Sequence, residues 1–199
     1  MTESPSEARP AAAEIAERFA SAVGADRWSG DHGTAKIHVT PARWVEVHER
    51  LREDLPFFSW LSAIDWSREV AVGEPPDDVT LEERFEVLSR LSDVTLGIGV
   101  IVSADLPRTD PSIDTLTGVF AGAAWHEREA HEMFGIDFTG HPNLVKLYLP
   151  DGFEGHPLRK SFPLVSREVK PWPGTVDVED MPSTESTGDD LEADEEEGE

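Results

Sequence analysis

The chain has no cysteine among its 199 residues. This absence excludes disulfide bonds, a thiolate nucleophile, and any zinc or iron–sulfur site that cysteines of this chain would hold. Long hydrophobic runs are missing as well: the longest, Leu96–Val102, has the length of a strand, whereas a membrane helix needs about 18 apolar residues. A glycine-rich phosphate-binding loop and a GxSxG motif do not occur either. We therefore expect neither a membrane span nor one of these familiar active sites.

Basic residues are scarce, with 17 Lys and Arg against 41 Asp and Glu, for a net charge of −24. This balance argues against nucleic acid as a partner, because phosphate binding needs clustered Lys and Arg. Glu3, Glu7 and Glu14 near the start of the chain argue against a secretory signal or a transit peptide. The sequence thus predicts a cytoplasmic bacterial protein, with a flexible N-terminus over residues 1–10.

The acidic residues concentrate at the C-terminus. Gly174–Glu199 contains 12 Asp or Glu and no Lys or Arg. A segment this charged cannot bury enough apolar surface to offset the entropy cost of ordering it. We therefore expect residues 175–199 to form a disordered acidic tail, which either only solvates the protein or serves as a docking arm.

Hydrophobic residues make up 38% of the chain, enough for a folded core. Segments with helical spacing and segments with strand spacing both occur, and they are not strictly interleaved. This order predicts an α+β domain over residues 11–134, with a two-layer mixed sheet and helices on one face. The expected elements are a helix Ala11–Val23, short strands at Trp28 and Lys36–Val39, a helix starting at Thr40-Pro41, a strand Phe57–Ile64, a hairpin of Arg84–Leu91 and Val94–Val102 turning at Ser92-Asp93, and a helix Pro111–Phe134.

A carboxylate interrupts the apolar stripe of the last helix. A buried carboxylate must be ion-paired or hydrogen-bonded, so we expect Glu127 to be buried against an Arg, a Lys or backbone donors. The apolar residues in line with it are Leu116, Phe120, Ala123, Ala130 and Phe134.

The same helix carries the run His-Glu-Arg-Glu-Ala-His-Glu, which suggests a free-standing metal hydrolase using His126, Glu127 and His131. The spacing argues against this function. The two histidines are five residues apart, about 140° around a helix, whereas the zinc-protease helix places its histidines four apart. We expect no metal and no cofactor on this chain.

A long irregular segment follows, which we call the strap (residues 135–174). Eleven of its 40 residues are Gly or Pro, too many for a long helix or a central strand, yet it is rich in Leu and Phe. Its basic residues suit an acidic partner, and a histidine at each of two rigid corners suits an anchoring hydrogen bond. Composition leaves open whether the strap packs on another protein or over its own domain. The corners are Gly140-His141-Pro142 and Gly155-His156-Pro157, and the basic residues are Lys146, Arg159, Lys160, Arg167 and Lys170.

Beyond these physical features, the residues resemble a known family. Glu127-Arg128-Glu129, followed by Glu132–Ile136, Phe138 and Gly140-His141-Pro142, is similar to the signature of the C subunit of NADH-quinone oxidoreductase, respiratory complex I. So is Asp151–Leu164, which includes Gly155-His156-Pro157, Leu158, Arg159 and Lys160. A looser likeness covers Leu61–Asp65 and Arg84–Val87, and Lys170–Gly174 resembles the actinobacterial branch.

The resemblance implies a non-catalytic subunit in the peripheral arm of this proton-pumping complex, on the cytoplasmic side of the cell membrane. The iron–sulfur clusters and the FMN that carry electrons from NADH to a quinone would lie on other subunits. The strap would reach across the D subunit, with the B and I subunits as further neighbours. The alternative is the equivalent subunit of a membrane-bound hydrogenase or of a complex with another electron donor; the metal hydrolase is more remote.

This docking role implies that the signature residues, and Gly140–Leu164 in particular, are ordered chiefly by a partner subunit. Arg159 and Lys160 would then set the register of the strap on that neighbour, Arg through paired hydrogen bonds that Lys cannot copy. Arg159→Ala would lower the amount of assembled complex and leave the fold of the isolated domain nearly unchanged.

Overall fold

The structure is a computed structural model that describes residues 10–68 and 82–163. Residues 1–9 of the predicted flexible N-terminus lie outside the described ranges. So do the predicted disordered acidic tail and the strap from residue 164 onward. In chain order the described helices and strands are α1 Ala12–Val23, β1 Arg27–Ser29, β2 Ala35–His38, α2 Trp44–Leu51, β3 Phe57–Asp65, β4 Phe85–Asp93, β5 Ile98–Leu106, β6 Ser112–Asp114, α3 Ala123–Phe134 and β7 Asp137–Thr139.

Five strands form one mixed sheet in the order β1-β2-β5-β4-β3. The β2–β5 pair is parallel and the other three pairs are antiparallel. The helices pack against one face of this sheet, and β6 and β7 form a separate parallel pair. The α+β prediction with a mixed sheet is therefore confirmed. No helix in the two described ranges is both long enough and apolar enough to cross a membrane.

The first helix follows from its sequence period. Ile15, Phe19 and Val23 recur at helical spacing, and all three are buried. The helix ends where Gly24 adopts a left-handed conformation at φ 62° and donates its N–H to the carbonyl of Ala20, a geometry that glycine adopts without strain. The expected helix start differs from the observed one by a single residue.

The β4–β5 turn lies further along the chain than expected. Val94 and Leu96 are 73% and 64% exposed and belong to the turn, so β5 begins only at Ile98. The Asp93 side chain accepts the N–H groups of Thr95 and Leu96 at 2.7 and 3.0 Å. The predicted strand start at Val94 is wrong. The alternation of apolar residues continues through residues that form a turn, and the hydrogen bonds of the Asp93 side chain stabilise this turn.

The last helix is half as long as predicted. Pro111–Phe134 was expected to be helical, but the helix covers only Ala123–Phe134, and β6 occupies Ser112–Asp114. Leu116 and Phe120 are buried, as their helical spacing required, yet they sit in tight turns. Side chains accept hydrogen bonds from N–H groups that would bond to backbone carbonyls in a helix. The N–H of Leu116, for example, donates to a carboxylate of α3.

Candidate functional site

Glu127 is the centre of a buried hydrogen-bonded cluster beneath α3. Its side chain has no exposed surface. One carboxyl oxygen accepts the N–H of Leu116 at 2.6 Å, and the other lies 2.5 Å from the hydroxyl oxygen of Thr115. The prediction that Glu127 is buried and bonded to backbone donors is confirmed, with a threonine hydroxyl as an additional partner.

Thr115 links Glu127 to the turn that precedes α3. Its hydroxyl donates to the carboxyl group of Glu127 at 2.5 Å, and its oxygen accepts the N–H of Thr117 at 3.1 Å. The Thr117 hydroxyl lies 3.0 Å from the same oxygen. Burial raises the pKa of Glu127 to about 7, against the effect of the Thr115 and Leu116 hydrogen bonds.

His141, at the first Gly-His-Pro corner, closes this cluster as a neutral ring. Its Nδ1 accepts the N–H of Asn143 at 3.0 Å, so Nε2 carries the proton and donates it to the carbonyl of Ala124 at 3.1 Å. That Nε2 lies 3.9 Å from Glu127. The corner therefore anchors the strap to α3, as its composition predicted.

Arg128 fixes the backbone of the strap from the exposed side of α3. Its guanidinium donates to the carbonyls of Val145 and Lys146, each at 2.8 Å. The two bonds run side by side, a geometry that the planar guanidinium provides and an ammonium does not. Arg128 therefore sets the position of two consecutive residues of the strap.

Glu132 holds the next three residues. Its buried carboxylate accepts three consecutive backbone N–H groups at 2.7–2.9 Å. Burial acts to raise the pKa of Glu132, but these three bonds, helped by Lys146, outweigh it and hold the pKa below its usual range. The three donors are Leu147, Tyr148 and Leu149.

Replacing Glu132 with alanine is expected to release this part of the strap. Three N–H groups lose a charged acceptor, and each such bond contributes about 1.5 kcal/mol or more. In the free full-length chain, hydrogen exchange at Leu147, Tyr148 and Leu149 should be slow in the wild type and much faster in the variant. Because the folded-state pKa is depressed, the wild-type protection should also fall as the pH drops below the usual Glu range.

Glu129→Ala is the matched control, since Glu129 carries the same charge on the same helix and is only half-buried. This variant should retain wild-type exchange at the three amides. Fast exchange of those amides in the wild-type chain would refute the role given to Glu132.

The second Gly-His-Pro corner and the residues after it bind the C-terminal end of α3. Gly155 adopts φ 96°, and Nδ1 of His156 donates to the carbonyl of Glu132 at 2.8 Å. Arg159 donates to the carbonyl of Phe134, the last residue of the helix, and to that of Gly135, which caps it. These bonds satisfy carbonyls that a helix end leaves without partners.

Lys160 also bonds within the chain, with its N–H on the carboxylate of Asp65 at 3.0 Å and its ammonium on the carbonyl of Ser67 at 3.2 Å. The expectation that Arg159 and Lys160 set the register of the strap on a neighbour is thus corrected: both bind their own domain. As far as residue 163, the described strap lies over the domain that carries it. The remaining signature residues are at or near the surface: Gly140 at φ 81°, Pro142 exposed, Pro157 half-buried and Leu158 52% exposed.

The three residues of the hypothetical metal hydrolase are not brought together. The ring of His126 packs edge-on against Phe58 with centroids 5.7 Å apart, and Nδ1 of His131 donates to the carbonyl of Ile136 at 2.8 Å. Glu127 points into its own buried cluster. Each side chain has a separate partner, so the described geometry does not support this alternative.

Sequence reasoning missed a charged cluster on the sheet face opposite the helices. Among the described residues, His38, Glu86 and Asp105 are one group whose ligand atoms come within 4.8 Å of one another. Basic residues already pair with these acids: Lys36 lies 2.6 Å from Glu86, and Arg84 lies 2.9 Å from Asp105. The cluster beside a cavity of about 220 Å³ is therefore an ion-pair network. The signal that could have found it is polar residues at alternating positions: Lys36 and His38 in β2, Arg84 and Glu86 at the start of β4, and Ser103 and Asp105 in β5.

Comparison with known proteins gives a family match over most of the described chain. The family described as "Respiratory-chain NADH dehydrogenase, 30 Kd subunit" matches residues 37–168. The C subunit of NADH-quinone oxidoreductase from a Roseiflexus species is 38% identical over 141 residues, covering 69% of this chain and 74% of that protein. The C subunit of Citrifermentans bemidjiense is 35% identical over 168 residues, covering 83% and 96%. A Rhodopseudomonas palustris relative, named as a combined C/D subunit, is 32% identical over 155 residues, 75% of this chain but 26% of that protein.

Two solved structures share the fold. One, described as Nqo5 of a trypsin-resistant fragment, superposes with a TM-score of 0.51 at 25% identity over 67% of this chain and 99% of that one. The other belongs to a membrane-bound sulfane sulfur reductase, an archaeal respiratory membrane complex, with a TM-score of 0.61 at 20% identity over 76% and 85%. At that identity the second likeness shows the fold alone.

Proposed function

Because the chain belongs to the family of the 30 kDa subunit of respiratory-chain NADH dehydrogenase, whose relatives are C subunits of NADH-quinone oxidoreductase, we propose that it is a structural subunit without a cofactor or an active site of its own. Its role is to hold the quinone-reducing part of the complex together. Electrons pass from NADH to a quinone through iron–sulfur clusters and FMN on other subunits.

One observation carries this proposal: the charged signature residues hold the strap on α3. Arg128, Glu132 and Arg159 all bond to backbone groups of α3 or the strap. A group that does chemistry must direct its hydrogen-bonding atoms at a substrate, whereas both carboxylate oxygens of Glu132 already accept backbone N–H groups. The lack of cysteine also removes the ligands that an iron–sulfur cluster would need.

Membership of this family also supports a proposal about location. We place the chain in the peripheral arm of the complex, bound at the cytoplasmic side of the cell membrane. The D subunit is the first partner, because some relatives carry the names of both subunits on one chain. The B and I subunits are proposed as further neighbours from the resemblance of the signature.

Affinity purification from the native membrane tests the proposal. A tagged full-length chain, expressed in its host from the native locus and extracted in mild detergent, should copurify with the D subunit and with NADH-oxidising subunits. The purified assembly should reduce a quinone with NADH. Recovery of the chain without any of these subunits would overturn the proposal, as would stoichiometric iron or zinc retained by the isolated chain after chelator treatment.

The same experiment distinguishes the NADH-oxidising complex from the alternative, a related complex with another electron donor. The fold recurs in the sulfane sulfur reductase complex, so architecture by itself does not select the donor. A D-like subunit copurifying with hydrogenase-type subunits, and without NADH-oxidising ones, would favour that alternative.

A further inference from the structure

The cavity of about 220 Å³ beside the ion-pair network lies at the β1 edge of the sheet. Two indole rings line it: Trp28 of β1, which is 46% exposed, and Trp66, which follows β3 and is half-buried. Three cationic side chains line it as well, namely Arg27, Lys36 and Arg84. We call this space the β1 cavity.

The buried carboxylate of the β1 cavity already has its partners within the chain. One oxygen of Glu86 lies 2.6 Å from the ammonium of Lys36, and the other accepts Nε1–H of Trp66 at 2.9 Å. Burial acts to raise the pKa of Glu86, but the bonds from Lys36 and Trp66 outweigh it and hold the pKa below its usual range. Glu86 is therefore ionised, and its charge is balanced by Lys36.

The second carboxylate, Asp105, is shared by two arginines. One of its oxygens accepts Nε–H of Arg84 at 2.9 Å, and the other accepts an N–H from Nη2 of Arg27 at 3.1 Å. His38 lies 3.5 Å from Asp105, but burial lowers its pKa, so the ring is neutral at pH 7. Two positive charges thus face one negative charge, which leaves a surplus positive charge beside the cavity.

The surplus is available at Arg27, whose side chain is 65% exposed. Among the described residues, Arg27 bonds through Nη2 alone, so its Nε and Nη1 groups can donate to a ligand. A guanidinium edge with two parallel N–H groups matches the two oxygens of a carboxylate. The neighbouring residue, Trp28, offers an exposed indole that a flat ring would cover.

Charge and size restrict the ligand further. A surplus positive charge disfavours a cationic ligand, and both carboxylates that could attract one are already paired. The volume is below the range of about 300–1,000 Å³ that is usual for pockets of drug-sized ligands. A molecule with one ring system therefore fits this space.

We propose that the β1 cavity binds a small organic anion that carries one carboxylate on an aromatic ring. The carboxylate bonds to Arg27, and the ring packs against Trp28. These two residues are consecutive in β1, so a single small molecule spans both. The inference does not rest on the proposed function, and it concerns binding without a reaction.

Titrations of the isotope-labelled full-length chain with three probes, followed by nuclear magnetic resonance, test the proposal. Benzoate has both the ring and the charge, benzamide has the ring without the charge, and acetate has the charge without the ring. Benzoate should shift the indole N–H signals of Trp28 and Trp66 with a Kd on the order of 1 mM. Benzamide and acetate should bind at least about tenfold more weakly, because each lacks one of the two contacts.

A pair of variants assigns the site to Arg27. Arg27→Gln should weaken benzoate binding about tenfold, with nearly unchanged thermal unfolding, since exposed ion pairs contribute little. Arg50→Gln is the matched control, because Arg50 is also an exposed arginine paired with acids but lies on α2; its benzoate affinity should equal that of the wild type.

The probe series on the wild-type chain decides the matter even if Arg27→Gln unfolds. Equal binding of benzoate and benzamide would overturn the inference, as would indole signals of Trp28 and Trp66 that do not respond to benzoate. Wild-type benzoate affinity in a folded Arg27→Gln chain would overturn it as well.

Discussion

The wild-type protein is expected to become less stable as the pH rises from about 4.5 to about 7, and the Glu127→Gln variant is expected not to. The folded-state pKa is raised, so the unfolded chain releases its proton first as the pH increases. The stabilisation from protonated Glu127 is complete below pH 4.5 and is lost as the pH passes 7. At about 1.4 kcal/mol per pKa unit, the loss is about 3 kcal/mol.

Glutamine isolates this effect because it imitates the protonated acid. Its amide can donate to Thr115 and its carbonyl can accept the N–H of Leu116. His48 also titrates, since burial lowers its pKa to about 4, and it acts in the opposite direction between pH 4 and 6.5. That contribution is common to both proteins, so it cancels in their difference.

The measurement is urea unfolding of the free chain at pH 5 and pH 8. The stability difference between variant and wild type should move by about 2.5 kcal/mol in favour of glutamine at the higher pH, since a small part of the loss has already occurred at pH 5. Glu127→Ala, which leaves the N–H of Leu116 without an acceptor, should be destabilised at both values. Parallel pH dependence of the glutamine variant and the wild type would show that Glu127 is ionised in the folded protein.

Arg159→Ala is expected to destabilise the domain itself by about 2 kcal/mol. Arg159 donates to the carbonyls of Phe134 and Gly135, and its guanidinium lies 5.2 Å from the centre of the Phe85 ring. A cation at this position also favours the negative end of the α3 dipole. The expectation of a nearly unchanged domain fold, reached from the sequence, is therefore replaced.

Thermal and urea unfolding of the free chain measure this effect. Arg159→Lys should recover only part of the stability, because an ammonium lacks the planar fork. Arg50→Ala is the matched control, since among the described residues Arg50 pairs with the exposed acids Glu53 and Asp54, and such pairs contribute little. An Arg159→Ala chain as stable as the Arg50→Ala chain would mean that the strap does not rely on this contact.

Some elements were predictable because their residues repeat a local period. Helix α1 and strand β3 were located to within one residue, since each buries a single face against the same core. The segment before α3 failed for the opposite reason. Leu116 and Phe120 kept a helical spacing without being helical, because Glu127 and Thr115 supplied the hydrogen-bond partners that a helix would have supplied.

The sequence by itself determined the fold class, the burial of Glu127 and the family. These depend on the spacing of apolar residues and on the signature residues, both of which can be read directly from the sequence. Only the tertiary structure decided what Arg128, Glu132 and Arg159 bind. The backbone groups that these three side chains bind lie 15 to 25 residues away in the sequence. The bond between Lys160 and Asp65 spans 95 residues. An arginine or a glutamate looks the same in the sequence whether its side chain bonds to a neighbouring protein or to the backbone of its own chain. Only the path of the chain in space distinguishes the two.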